Sequence, residues 1–240
     1  MGRLPYLWDI FKPPRDGEGD PFKVLGCYFD VQLKMNLAIN KVVTHVKPKI
    51  QALLRTRYIY DTENLIQQFK THIWGHLEYV SGSILHATET VLGRLDRIQN
   101  SFLRDIDVTP EEAFLKYNFA PTVLRRDIGL LGFVHKATLE KCHPGIQKLL
   151  TLRESTTYDY HNKPIKNYLD NVICHHGIFF RSIFGTALLY NRLSQSIANE
   201  PTITKFQTRL TAIARLRCTA EDPEWQYTFH DVEHMRSGHI

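Results

Sequence analysis

No stretch of this 240-residue sequence approaches the ~18 consecutive apolar residues of a membrane-spanning helix, so no transmembrane segment is expected. The opening MGRLPYLWDI lacks the basic-then-apolar order of a secretory signal, and Tyr6 stands where a myristoylation signal needs Ser or Thr. The expectation is an intracellular protein, nuclear or cytoplasmic, and not a secreted one. Cysteine is sparse. Cys27, Cys142, Cys174 and Cys218 are scattered with no CxxC pair, which predicts reduced thiols rather than a disulfide framework. Cys142-His143 and Cys174-His175-His176 place candidate ligands side by side, where they diverge, whereas tetrahedral zinc sites draw on spaced pairs.

Catalytic signatures are missing too. Glycine loops for nucleotides, a GxSxG elbow and HExxH are all absent. His230-Asp231-Val232-Glu233-His234 fits H-x-x-E-H, but only MRSGHI follows it, with no carboxylate to complete a zinc site. It reads as a polar tail. The sequence also has no Asp-Asp dipeptide. No catalytic residue, cofactor or metal is expected.

What is present is a folding composition, 43% hydrophobic and 11% aromatic, with a very uneven charge. Residues 31–60 hold Lys34, Lys41, Lys47, Lys49, Arg55 and Arg57 and no Asp or Glu. That segment carries +6, more than the net +5 of the whole chain, so the remainder sums to −1. At ~100° per residue, Met35, Ile39, Val42, Val46, Ile50 and Leu53 share one side of a helix. Lys34, Lys41, His45, Lys49 and Arg55 gather roughly opposite. Solvated faces usually mix signs, and a cationic face without carboxylates suits a polyanion, either nucleic acid or an anionic membrane surface. Pro48 is expected to kink this helix or break it in two.

Along the chain, residues 1–21 read as a turn-rich lead and FKVLGCYFDVQL as one or two short strands bent at Gly26. Helices are expected over 34–57, 62–80, 88–106, 110–118 and 122–141. Thr109-Pro110-Glu111-Glu112 is a capping box with proline at the first helical position, which places Asp105 and Asp107 between two helices rather than in a metal site. The polar stretch 151–163 marks a boundary before further helical patterns in RSIFGTALLYNRLSQSIAN and TITKFQTRLTAIARLR. The expected architecture is mainly α: a helical bundle over 22–150 with a short N-terminal β-hairpin, then a helical extension over 151–240 with a polar tail.

RLDRIQNSFLRDI, residues 94–106, adds a detail. Leu95, Ile98, Phe102 and Ile106 form an apolar stripe, and Arg94, Arg97 and Arg104 border it. The arginines either cover core with their stems or offer their heads to an anion.

FKVLGCYFDVQLKM, TENLIQQFKTHIWGHLEY, RLDRIQNSFLRDI and FAPTVLRRDIGLLGFVHK follow one another in an order that resembles the thumb of non-LTR (LINE-like) retrotransposon reverse transcriptases. SIFGTALLYNRLSQ and TITKFQTRL are similar to that family's continuation beyond the thumb, and the resemblance covers most of residues 22–210. It implies that Leu25-Gly26 is the hairpin steadying the primer end, and that the helix with Lys34, Lys41 and Lys49 lies along the template-primer duplex. It places Arg94, Arg97 and Gln99 in an R-x-Q-N block and Arg125-Arg126-Asp127 in an RRD block, serving packing or nucleic-acid contact. The paired palm aspartates that hold two metals for phosphoryl transfer are absent. The resemblance therefore implies a thumb-plus-tail piece that binds RNA/DNA duplex backbone without polymerising alone, with a palm-bearing reverse transcriptase chain as a partner. Lys34, Lys41, Lys49, Arg55, Arg94, Arg97, Arg125 and Arg126 are its candidate contacts. The alternative expectation is a helical adaptor whose basic amphipathic helix binds an anionic membrane or an acidic protein.

Overall fold

The computed structural model describes residues 21–150 and 177–230, and these are mainly helical, with one short antiparallel hairpin at the N-terminal end. Strands β1 (Phe22–Val24) and β2 (Cys27–Phe29) pair Phe22 with Phe29, Lys23 with Tyr28 and Val24 with Cys27. The two residues between them, Leu25 and Gly26, both have positive φ, 47° and 85°, the geometry of a type I′ turn. A Cβ on Gly26 would lie 3.0 Å from the Tyr79 ring, so glycine serves both the turn and its close seating.

Helix α1 (Asn36–Arg55) carries the expected apolar face inward, with Met35, Ala38, Ile39, Val46 and Ile50 buried. It begins two residues later than the pattern predicts, because Met35 takes a left-handed conformation at its N-cap, φ 61°. Lys34 therefore precedes the helix. The helix runs through Pro48 without breaking. Thr44, whose carbonyl Pro48 leaves without a helical donor, is exposed, so water can take that bond.

Helix α2 (Thr62–Phe69) starts at Asp61, whose side chain accepts the Asn64 N–H at 2.8 Å. The predicted helix 62–80 is not uniform. It passes through a π turn, Lys70–Trp74, into α3 (Gly75–Glu78), before the short α4 (Ser81–Ile84). Helix α5 (Glu89–Asp105) packs on α1, and Thr109 caps α6 (Pro110–Tyr117) as expected, accepting from Glu112 N–H at 3.1 Å. These elements close a first core that includes Phe69, Leu95, Phe102 and Phe119.

A second core lies on the far side of α6, which sends Ala113 to the first and Phe114 to the second. Its spine is α7 (Thr122–Thr138), against which α10 (Ile183–Tyr190) and α12 (Ile203–Thr219) pack. The short helices α8 (Pro144–Gln147), α9 (Gly177–Phe180) and α11 (Gln195–Ala198) connect them. Stacked rings hold this core: Phe114 on Trp225 at 5.0 Å and His135 on Phe206 at 4.1 Å. The two cores thus part near α6, and α7 shares its core with the later helices rather than with α1 to α5. The expected boundary at 151–163 lies outside the described residues. Among the described residues no helix is long and apolar enough to cross a membrane.

Candidate nucleic-acid interface

The inward apolar stripe of α1 leaves its opposite face to solvent, and Lys41, His45 and Arg55 on that face are exposed. Lys34 just before the helix and Lys47 on its flank are exposed as well. Among the described residues, none of Lys34, Lys41, Lys47, Lys49 and Arg55 has a carboxylate within ion-pair distance. Asp30, one residue outside the carboxylate-free segment, accepts the backbone N–H of Lys34 at 2.8 Å. Lys49 is half-buried and donates to His76 Nε2 at 2.5 Å. Burial first, then Lys49 and His45, holds the His76 pKa below the usual histidine value, so His76 is a neutral acceptor at pH 7. One of three ammonium protons is used there, and two remain.

The hairpin abuts this face. Lys23 and Lys41 sit over the Tyr28 ring at 5.2 and 5.7 Å, which joins the hairpin to α1 through one aromatic side chain. The turn is fixed by Tyr79, whose hydroxyl donates to the Leu25 carbonyl at 2.5 Å. Leu25 itself is 88% exposed. Neither Tyr28 nor Tyr79 stood out in the sequence.

The arginines of α5 and α7 are placed differently. Arg94 reaches across to α1 and donates to Asn40 Oδ1 at 2.9 Å, so it ties two helices together. Arg104 donates to Ser101 Oγ at 3.2 Å, within its own helix. Arg125 pairs with Glu78 and sits over the Trp74 ring, its Cζ 3.6 Å from the centroid, while Phe119 stacks on Trp74 at 4.9 Å. Arg126 is bidentate to Asp96, at 2.7 and 3.1 Å, with a side chain only 8% exposed. A buried, doubly bonded guanidinium is not available to a phosphate, which moves Arg126 from the candidate contacts to the seam between α5 and α7. Arg97 is exposed on α5. Gln99, beside it in the R-x-Q-N block, is buried and donates to the Ala120 carbonyl at 2.9 Å. Its Oε1 accepts from Thr122 at 2.8 Å and from Trp74 at 3.4 Å.

A groove of about 1220 Å³ runs between the π turn, α7 and α12, with Lys70, Arg125 and Arg215 on its walls. Its cations are also committed: Lys70 donates to the Tyr117 carbonyl at 2.5 Å, and Arg215 to the Leu115 carbonyl and Asn118. His230, first residue of the H-x-x-E-H match, bonds through Nδ1 to Asp127 at 3.2 Å and lies 3.6 Å from Glu89 through Nε2. Residues 231–234 of that match, and Cys174-His175-His176, lie outside the described residues. Among the described residues no three His, Cys, Asp or Glu side chains form a metal-holding group. Comparison of the chain with protein-family models, with curated proteins and with solved structures found no match.

Proposed function

We propose that this chain is a non-catalytic nucleic-acid-binding module, the thumb-like part of a non-LTR reverse transcriptase, that holds the backbone of an RNA/DNA duplex. The observation that carries this reading is the solvent face of α1, where Lys41, Arg55 and the two remaining protons of Lys49 continue from Lys34 with no carboxylate within ion-pair distance among the described residues. A 20-residue helix is about 30 Å long, which matches roughly nine phosphate steps along one strand. Contacts of this kind supply affinity and little sequence preference. A palm-bearing chain would supply the metal-binding acids that polymerisation needs.

Fluorescence anisotropy with a labelled duplex tests it. About four phosphate contacts, from Lys34, Lys41, Lys49 and Arg55, predict a slope of log affinity against log salt near −3 to −4, the same for unrelated duplex sequences. The double variant Lys41→Glu/Arg55→Glu should flatten that slope by about two and leave helical circular dichroism unchanged, because both residues are exposed. Absence of duplex binding at low salt, together with binding to anionic vesicles, would replace this reading with the membrane adaptor.

A further inference from the structure

Between the end of α1 at Arg55 and the start of α2 at Thr62, the chain turns within Thr56–Tyr60. The turn is ordered by its own hydrogen bonds. The N–H groups of Ile59 and Tyr60 both donate to the Thr56 carbonyl, at 2.9 and 3.1 Å, and the Thr56 N–H and hydroxyl both donate to the Leu53 carbonyl. Its side chains nevertheless face water: Tyr58 is 83% exposed, Ile59 79% and Tyr60 44%. A single exposed apolar residue is ordinary, but three in succession on a fixed turn form a patch that marks an interaction site.

Charge says what the patch faces. Arg55 and Arg57 flank it, and Arg57 stacks 4.9 Å from the Tyr58 ring centroid while donating to its hydroxyl at 2.8 Å. The nearest carboxylate in sequence, Asp61, is turned to capping α2, and the carboxylates that reach Arg57 in space are Asp105 and Asp107 at the end of α5. The patch stands at the end of the same cationic face that the duplex reading assigns to phosphates. A phosphate-tracking strip that ends in exposed aromatic rings combines the two elements of single-strand recognition, backbone charge and base stacking.

We infer that Tyr58, Ile59 and Tyr60 form a stacking platform for an unpaired base where a duplex opens into single strand, an inference that rests on the duplex-binding reading. Within a duplex each base is covered on both faces, so a ring inserted there must first unstack a step at a cost of a few kcal/mol. At an overhang a π face is already open. A bilayer fits less well, since the exposed face of α1 carries no Trp or Phe to anchor in lipid.

The test compares two probes of equal charge: a duplex with a short single-stranded overhang, and the same duplex whose overhang is abasic sugar-phosphate. The wild-type protein should bind the overhang with bases on the order of tenfold more tightly, the effect of one stacked base. Tyr58→Ala/Tyr60→Ala should abolish that ratio and keep the salt slope, whereas Tyr58→Phe, which retains the ring, should keep both. Thermal melting monitors the fold, and if the double variant melts early, Tyr58→Ser reads the same ratio at a fully exposed position. Equal affinity for the two probes, or a ratio that survives loss of the rings, overturns the platform while leaving duplex binding in place. Failure to bind either probe at low salt overturns both readings. Loss of binding to phosphatidylserine vesicles in Tyr58→Ala/Tyr60→Ala would then assign the tip to a membrane.

Discussion

Two regions of this molecule are both rich in basic side chains and use them in opposite ways. Just before α1 and along it, Lys34, Lys41, Lys47 and Arg55 stand in water, and among the described residues none has a carboxylate within ion-pair distance. Where α5 meets α1 and where α7 meets α3 and α5, Arg94, Arg125 and Arg126 each have a protein partner, Asn40, Glu78 and Asp96 respectively. The physical difference is desolvation. A guanidinium brought to a helix interface must be paired, because an unpaired buried charge costs several kcal/mol, whereas an exposed ammonium pays no such penalty and remains open to an external anion. Basic residues alone therefore do not define a binding face; the distribution of their counter-charges does.

The contrast breaks most visibly at Arg126. Arg126→Ala should leave Asp96 uncompensated at the seam and lower stability by about 3 kcal/mol, the low end for a buried pair because Asp96 is 25% exposed. Lys41→Ala should change stability by less than about 0.5 kcal/mol. Duplex affinity should order the two variants the other way, with Arg126→Ala still binding normally below its melting temperature. Urea titrations and anisotropy on the same samples decide this. If Arg126→Ala weakens binding as Lys41→Ala does, the seam and the face are not distinct.

Gln99 gives a second, smaller effect on the same seam. Gln99→Leu keeps the volume and removes three hydrogen bonds, leaving the Ala120 carbonyl, the Thr122 hydroxyl and the Trp74 N–H without this partner. A loss of about 2 kcal/mol in urea unfolding is expected. Its exposed neighbour Asn100, replaced by Ala, should change little. An equal effect at both positions would argue that the R-x-Q-N block does not work through the buried amide.

How much of this was legible in the sequence differs between the two regions for the same reason. The face of α1 is local: 3.6-residue periodicity across Ile39, Val46 and Ile50 fixes which side is buried, and hence which side shows Lys41 and Arg55. The hairpin and the Thr109 cap are local too, and both stand where the sequence places them. The seam is not local. Glu78 and Asp96 lie 47 and 30 residues from their arginines, and no periodicity links them. The π turn at Lys70–Trp74 was invisible because its apolar pattern still reads as one helix, although it sets Trp74 between Phe119 and Arg125. Tyr58, Ile59 and Tyr60 were in plain view as RTRYIY, but only the ordered turn shows that the three rest in water.

Titration sharpens the comparison, because the buried His135 on α7 and the partly buried His230 at the chain's described end carry opposite pH dependence. His230 is raised to about 9, chiefly by its bond to Asp127, against the cost of burial. Burial pushes the Asp127 carboxyl up, and His230 and Arg126 pull it back. The folded state therefore keeps a proton that the unfolded chain releases above pH 6.5, so this stabilisation is complete below 6.5 and lost as pH rises through about 9. His135 is lowered by burial. It donates from Nε2 to the Glu200 carbonyl, which can only accept, and so its Nδ1 accepts from Tyr190. Below pH 6.5 the unfolded chain takes a proton that this site resists, so stability falls with falling pH. Unfolding free energies measured across pH should decline on both limbs, and His230→Asn should flatten the alkaline limb alone. A variant that flattens the acid limb instead would place the charge at the wrong histidine.

The smallest effect concerns the hairpin turn at the edge of the cationic face, where stability and binding are expected to part. Leu25 holds φ at 47°, a left-handed conformation that crowds its Cβ, and at 88% exposure it gains almost nothing from burial in return. Asparagine tolerates that conformation and is favoured with glycine in type I′ turns, so Leu25→Asn should stabilise the protein by about 0.5–1 kcal/mol. The Tyr79 bond is made to the backbone carbonyl and survives the change. If the exposed leucine serves the primer-end role that the resemblance implies, the same variant should bind an RNA/DNA duplex end less tightly while its salt slope is unchanged. Higher stability with unaltered end binding would remove Leu25 from the interface and leave α1 as its core; lower stability would show that the turn is not strained at Leu25.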